Sequence, residues 1–286
     1  MTQPLSRRRF LGYSAGLTSA ALAGIGTFGL PRVLSAAEKF PGFTIGLQSY
    51  SLRGYKADEA IEHAKELGFA GLEFFDAHFS VNSSDEQIAA MKKQMAAAGL
   101  KIMGHGVSPF GKDHEANRKY FEFAKKAGIK NLSADPAPDS FDSLDKLVEE
   151  YDVRIAIHNH GPNHRYNKVL DVVNAVRDHH KNIGACADLG HFIRSGENPV
   201  EVIKVLGDRL FGIHLKDFAE QKDQTKGVIL GKGHLDVDGV FEALRMVNFP
   251  ADGCLVLEYE ENPENPLAEI AECLAIAKDA AQRASA

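Results

Sequence analysis

Three histidines fall within the seven residues His158 to His164, in the stretch IAIHNHGPNH, directly after an apolar run that reads as a buried strand. An imidazole is costly to bury without a partner. His158, His160 and His164 therefore either decorate a solvated loop or serve a site. The rest of the chain favours a site, because short apolar stretches repeatedly end in groups that bind or titrate. In order these are Gln48 and Tyr50, Glu73, His105, Asp135, His158 and His160, Asp188 and His191, His214 and Lys216, and Glu258 and Glu260. Chance would scatter such residues over both strand ends. Strand alternation puts His158 and His160 on one face with Ala156. Crowded imidazoles and carboxylates either pair among themselves or enclose a cation, and one divalent ion satisfies four of them at once. The cation is the preferred reading. Two imidazoles with two carboxylates suit Mn, Co, Fe or Zn better than Mg or Ca, whose sites are oxygen-rich.

The elements that must position these groups alternate. Candidate strands are FTIGLQSY, GLEFF, KIMGHG, NLSAD, RIAIHNH, IGACADLGH, LFGIHLKD and GCLVLEYE. Between them apolar residues recur at helical spacing: Ala60, Ile61, Ala64 and Leu67, then Ile88, Met91, Met95 and Ala98, later Ile270, Leu274 and Ala277. Gly68, Gly99 and Gly128 each sit where a helix end wants a left-handed residue just before a strand. Their spacing matches one βα unit, and eight such units predict an α/β fold, a single-domain (β/α)8 TIM barrel over residues 38–286. An open doubly wound sheet is the lesser reading, since no GxGxxG turn is present. In a barrel, strand C-terminal ends form the site.

Residues 1–37 read as a targeting segment rather than fold. SRRRFLG, a small-residue apolar run from Tyr13 to Leu30, and a cleavage site after Ala37 resemble a twin-arginine signal peptide. The expected location is periplasmic or secreted, with no stable membrane insertion after cleavage. The segment carries four of the 33 Lys and Arg and none of the 39 Asp and Glu, so the remaining chain has a net charge of −10. Nucleic acid and anionic membranes are poor partners for it. Cys186, Cys254 and Cys273 are odd in number and lack CxxC spacing, which predicts small core hydrophobes rather than disulfides.

GLEFF, AIHNHG, ADLGHF, GIHLKDF, GKGHLDVDG and VLEYEEN, in that order, resemble the xylose-isomerase-like barrel family of sugar isomerases and epimerases, across essentially all of residues 38–286. The resemblance implies one divalent metal, Mn first, held by His158, Asp188, His214 and Glu258. Where many relatives place Glu-Asn-His, this chain has His158-Asn159-His160, which keeps a ligand but removes a carboxylate. Whether His158 or His160 ligates stays open, with His158 preferred and His164 assigned to the loop. Glu258, His160 and Lys216 are the candidate catalytic groups: a base, an opposing imidazole, and an ammonium for an enediolate oxygen or for pairing with a carboxylate. Glu73 and His105 are candidate substrate-binding residues, and His191 joins them by resemblance. Asp135 and Glu260 read as structural or rim residues, and Gly231–Gly233 as a tight turn. The expected activity is metal-dependent sugar isomerisation or epimerisation by proton abstraction next to a carbonyl. The carbohydrate substrate is expected to be small and non-phosphorylated or oxidised. β-Elimination on 3-keto-glycosides, or sugar binding without catalysis, are the alternatives.

Overall fold

The computed structural model describes residues 42–285, so the proposed signal segment and its cleavage site lie outside the described residues. Among those described, eight parallel strands close into a barrel: β1 (Gly46–Gln48), β2 (Gly71–Phe74), β3 (Lys101–Phe110), β4 (Asn131–Pro136), β5 (Arg154–His158), β6 (Ile183–Asp188), β7 (Leu210–Leu215) and β8 (Cys254–Leu257). Each strand pairs with its neighbours in the chain, and β1 closes on β8 through Gly46 with Val256 and Leu47 with Leu257. The helices are α1 (Ala57–Leu67), α2 (Asp85–Ala98), α3 (His114–Ala127), α4 (Phe141–Tyr151), α5 (Val169–Val176), α6 (Leu189–Arg194), α7 (Pro199–Leu206), α8 (Val237–Met246) and α9 (Leu267–Ala284). None among the described residues is long and apolar enough to cross a membrane.

Local chemistry sets these boundaries. Ser84 begins α2 with a reciprocal box: its hydroxyl accepts from the Gln87 N–H, and the Gln87 side chain accepts from the Ser84 N–H. Gly68, Gly99 and Gly128 end α1, α2 and α3 at φ of 81°, 73° and 77°, the left-handed geometry their positions predicted. The β3 strand runs four residues beyond the expected KIMGHG, and its register against β4 shifts between His105 and Ser108.

Strand alternation then sorts the side chains. Leu47, Leu72, Phe74, Leu132, Ile155, Ile157, Ile213, Leu255 and Leu257 join helix residues such as Phe121, Phe192 and Phe241 in the main core. Lumen positions are small: a Cβ on Gly212 would stand 2.8 Å from Cys186 Sγ, and one on Gly104 would stand 2.9 Å from Cys254 Sγ. All three cysteines are free and buried. Burial pushes the Cys186 thiol up to about 11, which keeps it protonated and unreactive.

Candidate metal centre

The lumen-facing residues of β5 to β8 end in one cluster. Register fixes it: His158 pairs with Cys186, Asp188 with His214, and His214 with Val256. Asp188 is therefore one lumen step above Cys186, and Glu258 one step above Val256. His158, Asp188, His214 and Glu258 each place a ligand-type atom within 4.8 Å of those of the other three, and all four are buried. His158 Nε2 lies 3.1 Å from His214 Nδ1 and 3.6 Å from Asp188 Oδ2. His214 Nδ1 lies 3.0 Å from Glu258 Oε2 and 4.0 Å from Asp188 Oδ2. An N–H on His214 Nδ1 could serve one of these facing lone pairs, not all. Atoms bound to one ion at about 2.1 Å sit roughly 3 to 4 Å apart, so the donor set fits a divalent transition metal.

The surroundings supply orientation and charge balance. His214 Nε2 is 2.7 Å from Glu73 Oε2, and the Ser133 hydroxyl donates to Glu73 Oε1 at 2.5 Å. Burial opposes charge on both members of this pair. Mutual attraction nevertheless holds the Glu73 carboxyl below its ordinary value, while the Glu73 and Glu258 carboxylates hold the His214 imidazolium pKa well above its own. The Lys216 ammonium donates to Asp188 Oδ2 at 3.3 Å, to Glu258 Oε2 at 3.0 Å, and to Glu260 Oε1. Against burial, its charge keeps Glu258 ionised and lowers Asp188. The Asn159 side chain accepts from the Asp188 N–H at 2.8 Å and donates to its carbonyl at 3.0 Å. Asp188 Oδ1 in turn accepts from the His191 N–H at 2.7 Å and caps α6.

Other expected site residues fall at varying distances from this cluster. Glu73 is brought to its underside, on His214. His105 is not brought to it. Gly104 takes the lumen position, so His105 faces the helix layer, with Nε2 2.8 Å from the Phe79 carbonyl and its ring edge-on to Phe123. Burial lowers its pKa. His160 and His191 flank His158, with ring centroids 4.6 and 6.0 Å from it. Burial lowers each to about 3, so both are neutral imidazoles. His164 and Asp135 lie further out on the rim, 3.5 Å apart. Ser133, Asn159 and Asp217 carried no sequence signal: each is a small polar residue whose role exists only once strands are paired. Asp217 accepts from the N–H groups of Gly231, Gly233, His234 and Leu235, all at 2.9 Å. The GKG stretch is thus a turn wrapped on the chain's own carboxylate, which fills the nest a phosphate would need.

The profile of a family described as xylose isomerase-like TIM barrel matches residues 135–277, half of the chain. An inosose dehydratase from Clostridium botulinum strain Alaska E43 is 29% identical over 228 residues, which is 71% of this chain and 75% of that protein. A second, from strain Eklund 17B, is 31% identical over 142 residues, 43% of this chain, and the match spans 47% of the relative's length. Among solved structures, 3-keto-D-glucoside 4-epimerase from E. coli superposes with a TM-score of 0.66 at 18% identity, covering 83% of this chain and 99% of that one.

Proposed function

Because the chain belongs to the xylose isomerase-like TIM barrel family, we propose that it removes a proton from the carbon next to a carbonyl in a small, non-phosphorylated sugar or polyol. In this reading His158, Asp188, His214 and Glu258 hold one divalent ion, Mn first and Co, Fe or Zn as alternatives. When bound, the ion would polarise the substrate's carbonyl and hydroxyl oxygens. The observation that carries the proposal is the position of Glu258 at the cluster's open side. It is 8% exposed, against 3% for His158 and 0% for Asp188 and His214, so it is the ligand-type carboxylate that a substrate can reach. Glu258 takes the proton. Lys216, 3.0 Å from it, keeps it ionised beforehand and stabilises negative charge on the substrate oxygen afterwards. His160 and His191, neutral and beside His158, offer hydrogen bonds to hydroxyls.

The β5 position bears on the outcome. Epimerisation by two bases needs a proton acceptor on each face of the sugar, and here β5 supplies His158 where a second carboxylate would stand, leaving an imidazole as the opposing base. Elimination needs one base and a departing hydroxyl or alkoxide, which suits a single reachable carboxylate. The relatives named inosose dehydratase add support for loss of water or an aglycone, while the family's isomerase and epimerase activities support return of the proton. Turnover in deuterated water over a panel of free sugars, keto-polyols and 3-keto-glycosides, read by mass spectrometry, separates the two. Deuterium in an otherwise intact skeleton marks isomerisation or epimerisation; loss of water or aglycone marks elimination. In both cases Asp188→Asn should reduce turnover at least about 100-fold. Binding across the panel with neither label nor bond cleavage would overturn the enzymatic reading in favour of sugar binding alone.

A further inference from the structure

The cluster described above uses His158 of the HNHGPNH stretch and leaves its two other histidines without a role in metal binding. Asp135, next to last in β4, and His160 and His164, in the loop leaving β5, form a second convergence. Each offers a ligand-type atom, and these atoms lie within 4.8 Å of one another. The three share no residue with the first cluster.

Their contacts are poor as hydrogen bonds. Asp135 Oδ2 and His164 Nε2 stand 3.5 Å apart, whereas a charge-assisted bond would close to about 2.8 Å. Two ligands of a tetrahedral zinc-like ion, bound at 2.0–2.1 Å, stand roughly 3.4 Å apart. The His160 and His164 rings lie 4.5 Å apart at 51°, neither stacked nor edge-on. His160 Nδ1 and His164 Nδ1 are sealed from solvent and have no hydrogen-bond partner. An unpaired buried polar atom is costly; His160 Nδ1 is free to ligate, while His164 offers Nε2, the nitrogen that faces Asp135. Arg165 Nε forms an ion pair with Asp135 Oδ1 at 3.3 Å without a hydrogen bond, and Oδ2 is turned toward His164.

We propose that Asp135, His160 and His164 form a second site for a divalent transition ion of the zinc class, with three protein ligands and a coordination position left for water or substrate. Two imidazoles and one carboxylate select such an ion over Mg or Ca. The site sits at the barrel mouth, joined to the first cluster through the His158–His160 ring contact at 4.6 Å. It requires no reaction at the first cluster, and His160, ligating through one ring nitrogen, keeps the other for a substrate hydroxyl.

The test is metal stoichiometry of the full chain. Protein stripped with a chelator is titrated with Zn2+ by calorimetry, with elemental analysis after gel filtration and circular dichroism to check folding. Wild type should bind two equivalents. His164→Ala and the near-isosteric Asp135→Asn should each lose one equivalent and keep the other, while Asp188→Asn should show the reverse loss. Folded His164→Ala and Asp135→Asn proteins that both retain wild-type stoichiometry and affinity would overturn the proposal, as would loss of all zinc from folded Asp188→Asn. A single equivalent lost with His164→Ala but kept in Asp188→Asn would support this site and sink the metal assignment of the first cluster.

Discussion

His214 has its two ring nitrogens committed in opposite directions. Nδ1 faces His158, Asp188 and Glu258, while Nε2 is held by Glu73 at 2.7 Å. An ion binding at Nδ1 would displace the proton there, and Glu73 would then hold the remaining proton on Nε2 and raise the basicity of Nδ1. Ser133 holds Glu73 in turn. Glu73→Gln should therefore weaken metal binding about 10- to 100-fold while the fold is kept, measured by chelator competition; unchanged affinity would remove Glu73 from this role. The residue scale also shows what strand-end position can and cannot tell. Asp188, His214 and Glu258 were legible because each follows an apolar run at the end where barrel sites form. Glu73 has the same signature, yet depth in the lumen, set by register against β3, decides that it meets a histidine. His105 differs by one residue of parity: Gly104 takes the inward position, and nothing in KIMGHG says which of the two turns in.

At the scale of elements, the segment after β7 is held by one carboxylate. Asp217 is 2% exposed and gathers four backbone N–H groups from Gly231 to Leu235. A two-stranded ribbon, Asp217–Phe218 with Gly227–Val228, closes the other side of the same loop. Asp217 is the third residue beyond His214, so this anchor fixes the chain directly after Lys216. Truncation to Ala would leave four donors without their acceptor, with a cost of about 2–4 kcal/mol. Urea denaturation of Asp217→Ala should show that loss, and a midpoint equal to wild type would mean that water or another acceptor replaces the carboxylate. Helix ends were read from sequence with their glycines because αL geometry is a local requirement. The Asp217 anchor was not, because its acceptor and donors are fourteen or more residues apart and are brought together by the fold alone.

For the whole molecule, the barrel was legible because its period is simple: an apolar stretch, a polar end, an amphipathic helix and a glycine, repeated around a closed sheet. The same closure bears on how the protein would reach its place of work. The four ligand-type residues of the first cluster run from residue 158 to residue 258 on four different strands. No local segment can therefore hold an ion before the barrel closes, and a chain threaded unfolded across a membrane would have to find its metal outside. Cys186 and Cys254 lie in the lumen beneath the cluster, free and buried, which likewise suits folding where thiols stay reduced. A route that carries folded chains meets both demands, and the Arg7–Arg8 pair with Phe10 and Leu11 resembles the signal for one. We therefore propose export after folding and metal loading. Exported material should begin at about Glu38 by N-terminal mass analysis, and replacing both Arg7 and Arg8 with Lys should leave the folded, metal-bearing chain inside the cell. Exported protein that retains residues 1–37, or secretion undiminished in the double-lysine variant, would refute this route and leave the barrel's metal to be acquired wherever it folds.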